Sequence, residues 1–332
     1  MTTRTATRRD GGGMRLGLIL VAWFSSSAFF NDATPRLMRT LESVAGINVD
    51  VTALELGITI LIAAGKLMVQ NERPLPPPSL VGRVMCVGTS HLVGCRLFIW
   101  GLQYIPVSIA QTIRAANPVV TVAMSVLILR EPLPSLAVLA ALGMLIAGFA
   151  LAVLDGSGNA VDLSGVAAAV GSVCCLTLTN TFSKRLLSPA ASAPGTPPVS
   201  SGELQCWICI AAFAALAPYW LWSGGLGRLH TAFSGAASAE LGRLCALDGV
   251  LYFTEQTLQF AAISRLSPLT LAVVDTTRRL FIVVVAGFVL QGDPVTAARV
   301  GGALVVYAGA AAYAWTTHLD AGAATRVARK AR

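Results

Sequence analysis

Apolar residues along this chain gather into ten runs separated by short polar or proline-rich connections. The runs cover about 14–34, 48–70, 80–102, 105–129, 133–154, 161–184, 203–223, 244–263, 266–290 and 295–317. A helix that crosses the hydrocarbon core of a bilayer needs about 20 residues, somewhat more if tilted, and most runs reach that length. The pattern predicts an all-α polytopic membrane protein of ten transmembrane helices. Two connections, NERPLPPPS (71–79) and SPAASAPGTPPVSSG (188–202), are rich in Pro and Ser, and the second is the natural hinge between two halves. The expected organisation is a disordered basic tail over 1–13, five helices over 14–155, five more over 156–317, and a basic cytosolic tail over 318–332.

One run breaks the apolar rule near its middle. LSPLTLAVVDTTRRLFIVVVAGFVLQGDP (266–294) carries Asp275, Arg278 and Arg279. An arginine at the centre of a spanning helix costs roughly 2.5–3.5 kcal/mol even on insertion scales, so two adjacent ones ask for a reason. One nearby acid cannot balance both, which points to an anion-binding role rather than a purely structural one. The fourth run holds Gln111, Thr112, Arg114 and Asn117 ahead of Pro118, whose missing N–H leaves a carbonyl one turn back unpaired. Three guanidiniums, each a planar fork of donors, suit bidentate recognition of phosphate oxygens. The eighth run adds Tyr252, Thr254, Glu255, Gln256 and Gln259. Glu255 has three readings: a proton carrier, a partner for Arg278 or Arg279, or an acceptor for a sugar hydroxyl.

An internal repeat ties these runs together. Sliding the chain by 162 residues lays Pro106 on Pro268, Ala110 on Ala272 and Glu131-Pro132 on Asp293-Pro294 without a gap. Arg114 then falls opposite Thr276, and Arg278 opposite Ala116. Five spans per half is an odd number, so the halves must have opposite orientation, an arrangement typical of secondary transporters that bind substrate near the midplane.

Composition agrees with the pattern. The 332 residues are 55% hydrophobic and only 12% charged, against about 25% charged in soluble domains. The net charge of +8 does not indicate nucleic acid, because the basic residues sort by side. The side shared by the two termini collects about three times as many Lys and Arg as the other, which places both termini in the cytosol. Cys206 and Cys209 form a CxxC on an apolar run without a second pair, and read as packing. His91, His230 and His318 are scattered. There is no P-loop, dinucleotide fingerprint or nucleophile elbow. Neither metal, cofactor nor enzyme is expected.

Other residues carry blander expectations. Glu55 and Arg96 read as a packing ion pair or as snorkelling side chains. Lys184 and Arg185 read as interfacial anchors. Trp23, Trp100, Trp207, Trp220 and Trp222 suit mostly lipid-interface belts. Gly143, Gly148, Gly301, Gly302 and Gly309 suit close helix packing.

Four stretches resemble the triose-phosphate translocator branch of the drug/metabolite transporter superfamily, which also includes nucleotide-sugar transporters: WFSSSAFFN in the first run, YIPVSIAQTIRAANPVVTVAMSVLILREP in the fourth, LTNTFSKRLL in the sixth, and 266–294 in the ninth. The resemblance implies ten helices in two inverted five-helix halves. It also implies alternating-access exchange of a sugar phosphate or nucleotide sugar for inorganic phosphate or a nucleoside monophosphate. The family's phosphate-holding cations match Arg114, Arg278 and Arg279. Two of these are commonly lysine in the family, so the departure keeps charge and gains bidentate capacity. Where the sugar-phosphate translocators show Tyr-Asn, this chain has Glu255-Gln256, and it lacks the GALNK and FYNN motifs of GDP-mannose carriers.

The expected substrate site is therefore Arg114, Arg278, Arg279, Glu255, Gln256, Gln111, Tyr252 and Asp275. The expected partners are a phosphorylated small molecule, a counter-anion and the lipid bilayer, with a homodimer as the protein assembly considered and no nucleic acid. The rival readings are a proton-coupled exporter of small organic solutes, with Glu255 or Asp275 as proton carrier, and a non-transporting membrane scaffold. A Golgi or endoplasmic reticulum membrane is favoured over a plastid envelope because the N-terminal tail is short.

Overall fold

Helix is the consequence of apolar runs that cannot leave backbone polar groups unpaired in lipid. The computed structural model describes residues 6–41, 47–115, 117–128, 134–153, 162–187, 199–234, 238–266, 268–293 and 295–330, and among them there is no β-strand. The helices are α1 (Ala6–Leu41), α2 (Ile47–Val69), α3 (Pro78–Gly101), α4 (Val107–Ala115), α5 (Asn117–Ile128), α6 (Leu136–Val153), α7 (Leu163–Leu186), α8 (Ser201–Trp222), α9 (Gly225–Ser234), α10 (Ser238–Arg265), α11 (Pro268–Ile282) and α12 (Ala297–Lys330). A π-helical segment, Val283–Leu290, follows α11 directly.

Among the described residues, six stretches are long and apolar enough to cross a membrane: Leu16–Leu41, Asp50–Val69, Pro78–Gly101, Leu163–Leu186, Ser201–Trp222 and Ala297–Thr316. The molecule is a polytopic membrane protein. The fourth run is helical on either side of residue 116, as α4 and α5, with residue 116 itself outside the described residues. The side chain of Thr177 donates to Asn117 Oδ1 at the start of α5. α1 begins at Ala6, where the sequence suggested irregular chain; once a helix is nucleated, each added residue gains a hydrogen bond. α12 likewise continues to Lys330. Most of the 188–202 connection, Glu131-Pro132 and Pro294 lie outside the described residues.

The chain folds into two compact units. The first, residues 1–96 and 178–265, packs α1 against α10 and α2 against both α8 and α10. The second, residues 97–177 and 266–332, packs α6 along α12, and α4 against α11 and the π-helical segment. Each unit takes helices from both of the consecutive sequence halves.

Glycines set the closest approaches. A Cβ on Gly148 of α6 would lie 2.6 Å from Val306 N and 2.7 Å from Gly302 O of α12, so only Gly permits that crossing. In the first unit, Cys206, Trp207 and Cys209 are buried in α8, and both cysteines are free thiols. Trp23, Trp207 and Trp220 are buried inside the protein, which corrects their assignment to lipid-interface belts. For two of them the reason is polar: Trp220 donates its indole N–H to Asp50 Oδ1 at 2.7 Å, and Trp207 donates to Arg73 O at 3.0 Å. Arg73 also binds Glu203, which closes a capping box with Ser200 at the head of α8. The Glu203 hydrogen bond holds the Arg73 guanidinium more firmly charged than usual.

Candidate anion-binding site

The second unit assembles its charges on two helices. Asp275, Arg278 and Arg279 are spaced i, i+3 and i+4 on α11, so one helical face presents all three. Asp275 Oδ1 accepts from Arg278 Nε at 3.2 Å and Nη2 at 2.8 Å. Asp275 Oδ2 accepts from Arg279 Nε and Nη2, each at 2.9 Å. One carboxylate therefore bridges the arginine pair. Both arginines are buried, and Asp275 retains some exposure. Arg279 Nη1 also donates to Gln111 Oε1 of α4 at 3.3 Å.

Arg114, one turn along α4 from Gln111, lies over the Phe98 ring with its guanidinium carbon 4.3 Å from the centroid, and is close enough to Asp275 to act on its charge. Asp275 thus contacts two guanidiniums and lies in the field of a third. α4 is held from outside its own sequence: Asp293, just past the π-helical segment, accepts from Ser108 N at 2.8 Å and caps the first turn. Gly287 makes room for that cap, since a Cβ there would lie 3.1 Å from Ser108 Cβ and 3.2 Å from Asp293 Oδ2. The acid of the repeated acid-proline step thereby has a physical role.

The sequence reading missed Tyr307 on α12. It is buried, lies within electrostatic reach of Arg279 and Asp275, and among the described residues its hydroxyl has no hydrogen-bond partner. Flanked by apolar residues and matched to Leu145 under the 162-residue shift, it gave no polar signal in the sequence.

The remaining expected residues lie in the first unit, on α10. Ser27 donates to Glu255 Oε1 at 3.1 Å. Tyr252 and His91 share a hydrogen bond of 2.6 Å, with Cys95 Sγ 3.6 Å from the Tyr252 hydroxyl. Gln256 is half-buried, and Gln259 donates to Asn180 Oδ1 at 3.4 Å. Arg278 and Arg279 take Asp275 as their carboxylate partner, the role the sequence reading had also offered to Glu255. Glu55 is buried on α2, and among the described residues no ion pair joins it to Arg96. Asp248 precedes Tyr252 and Glu255 by four and seven residues, a helical spacing that marks one face and could have flagged it. Structure therefore gathers Arg114, Gln111, Asp275, Arg278 and Arg279 in one unit, and Tyr252, Glu255 and Gln256 along one helix of the other.

Carboxylate and phosphate oxygens accept from a guanidinium in the same bidentate way. A cluster in which an internal carboxylate already engages two arginines is chemically suited to exchange that partner for a phosphate.

A sequence model of the Triose-phosphate Transporter family matches residues 14–314. The chain is 27% identical over 308 residues to phosphoenolpyruvate/phosphate translocator 3, chloroplastic, of Oryza sativa subsp. japonica, covering 90% of this chain and 75% of that protein. It is 27% identical to phosphoenolpyruvate/phosphate translocator 2, chloroplastic, of Arabidopsis thaliana, over 82% of this chain and 69% of that one. It is 21% identical to the triose phosphate/phosphate translocator, non-green plastid, chloroplastic, of Brassica oleracea var. botrytis, over 94% and 77%. A protein of known crystal structure shares the fold, with a TM-score of 0.55 and 16% identity over 91% of this chain and 96% of its own.

Proposed function

Because this chain belongs to the Triose-phosphate Transporter family of the drug/metabolite transporter superfamily, whose members are transporters and not enzymes, we propose that it exchanges a small phosphorylated metabolite for inorganic phosphate. The observation that carries the reading is the Asp275 carboxylate bridging Arg278 and Arg279 beside Arg114. Incoming phosphate takes over guanidinium donors from Asp275, and the Tyr307 hydroxyl supplies a further donor.

Relatives named for phosphoenolpyruvate and triose phosphate favour a three-carbon phosphate over a nucleotide sugar. Phosphoenolpyruvate carries a carboxylate beside its phosphate, and so suits a site of three cations. The same relatives, named as chloroplastic, favour a plastid envelope over a Golgi or endoplasmic reticulum membrane. The ten-helix, inverted-repeat reading of the chain supports alternating access: a site loaded with phosphate is neutralised and changes state, whereas the empty site keeps uncompensated positive charge.

The test is a panel of phosphate, phosphoenolpyruvate, triose phosphate, nucleoside monophosphates and nucleotide sugars, read as thermal stabilisation of the purified protein, since a ligand that binds only the folded state raises its stability. The expected result is stabilisation by phosphate and three-carbon phosphates that is lost in Arg278→Gln. Stabilisation by nucleotide sugars alone would replace the substrate class, and none by any phosphorylated compound would sink the reading.

A further inference from the structure

A groove of about 570 Å³ lies in the first unit between the first turns of α3 and the last turns of α7. That volume falls within the usual range for a small-ligand site, roughly 300–1,000 Å³. Its floor is apolar: Val87 and Leu186 are buried there and belong to the core that also holds Leu80, Val199 and Leu204. Phe182 adds an exposed apolar wall. Gly82 keeps the groove open, since a Cβ at that position would meet nothing within 4 Å. One exposed arginine from each helix completes the lining, Arg83 from α3 and Arg185 from α7.

Both helices belong to stretches long and apolar enough to cross a membrane. Arg83 lies near the start of α3 and Arg185 in the last turn of α7, so each cation sits at the end of a spanning segment, where hydrocarbon gives way to headgroups. The Arg185 guanidinium carbon is 5.8 Å from the centroid of the Phe182 ring, which holds the charge against the groove wall. Acids beside the same core are committed elsewhere: Glu203 is paired with Arg73, and Glu72 accepts from Ser200 at the head of α8. Among the described residues no Asp or Glu forms an ion pair with Arg83 or Arg185.

A free phosphate would use the two cations and leave the apolar floor without a partner. A zwitterionic lipid would cover the floor but bring no net charge to the arginines. An amphiphile with a net negative head satisfies both, because guanidinium binds phosphate oxygens bidentately and basic pockets between spanning helices suit anionic headgroups. We propose that this groove binds an anionic phospholipid, with an acyl chain along Val87, Leu186 and Phe182 and the phosphate held by Arg83 and Arg185. The site uses different residues from the Asp275 cluster and does not depend on that cluster binding phosphate.

The test is native mass spectrometry of the purified protein titrated with phosphatidylglycerol and with phosphatidylcholine of the same acyl chains. The parent should retain phosphatidylglycerol as a discrete adduct at concentrations roughly ten- to thirty-fold lower than phosphatidylcholine. The double variant Arg83→Gln/Arg185→Gln should erase that difference. Gly82→Leu, which fills the groove and keeps both cations, should weaken retention of phosphatidylglycerol as well. Melting temperatures of the variants check folding, and if the double variant does not fold, Gly82→Leu decides alone. Equal retention of the two lipids by the parent, or a preference that survives in the folded variants, would overturn the proposal. So would inorganic phosphate that displaces phosphatidylglycerol at constant ionic strength and binds equally well to Gly82→Leu, which would assign the arginines to a free anion. No transport substrate enters the lipid titration, so its failure leaves the phosphate-exchange reading standing, and failure of the phosphate panel leaves this one.

Discussion

Asp275 pairs with both Arg278 and Arg279, the role proposed for the phosphate of a substrate. Removing one partner of a buried pair is costly, about 3–5 kcal/mol, because a desolvated charge is left behind. Asp275→Asn should therefore lower the melting temperature of the ligand-free protein, while phosphate should restore stability by a larger increment than in the parent. Differential scanning fluorimetry with and without phosphate checks both. Arg278→Gln removes a charge-assisted contact of about 1.5–3 kcal/mol, so phosphate affinity should fall roughly ten- to hundred-fold, measured by the concentration giving half-maximal stabilisation. Arg278→Lys should lose less, since the charge remains and only the planar fork is gone. Tyr307→Phe should cost about 0.5–1.5 kcal/mol of phosphate binding, one neutral hydrogen bond, with stability nearly unchanged because its hydroxyl has no protein partner among the described residues.

At the scale of elements, an irregularity lies beside the charges: the ninth run changes to π-helix shortly past Arg279. π-helical turns are uncommon and often accompany functional sites. Asp293 ties this segment to the helix that carries Gln111 and Arg114 by capping α4 from beyond the π-helical segment. Asp293→Ala should cost about 1 kcal/mol, the usual value of a cap, and should weaken phosphate binding by loosening Gln111 and Arg114. The comparison of phosphate affinity with Asp293→Asn, which keeps an acceptor, isolates the capping role. Away from the site, Gly148→Ala should cost about 1–3 kcal/mol through overpacking against α12 backbone, read as a lower melting temperature with phosphate affinity preserved.

For the whole molecule the expectation is strict exchange. Reconstituted protein should take up labelled phosphate only when phosphate or a three-carbon phosphate is trapped inside the vesicles; equal uptake into empty vesicles would refute antiport. The all-helical membrane architecture was legible in the chain because a bilayer allows few ways to satisfy a backbone, so length and apolarity of a run suffice to announce a helix. Asp275, Arg278 and Arg279 were legible for the same reason, since charge in an apolar run is too costly to be casual. Tyr307 and Ser27 were not, because their importance lies in what faces them across a helix contact, and single-chain periodicity carries no partner. The buried positions of Trp207 and Trp220 likewise follow from Arg73 and Asp50, residues far from them in sequence. Sequence alone determined which segments become helix and which of them carry charge at an energetic cost. Tertiary structure alone decided which charges meet, because pairing depends on side chains from separate helices reaching within about 3 Å of one another.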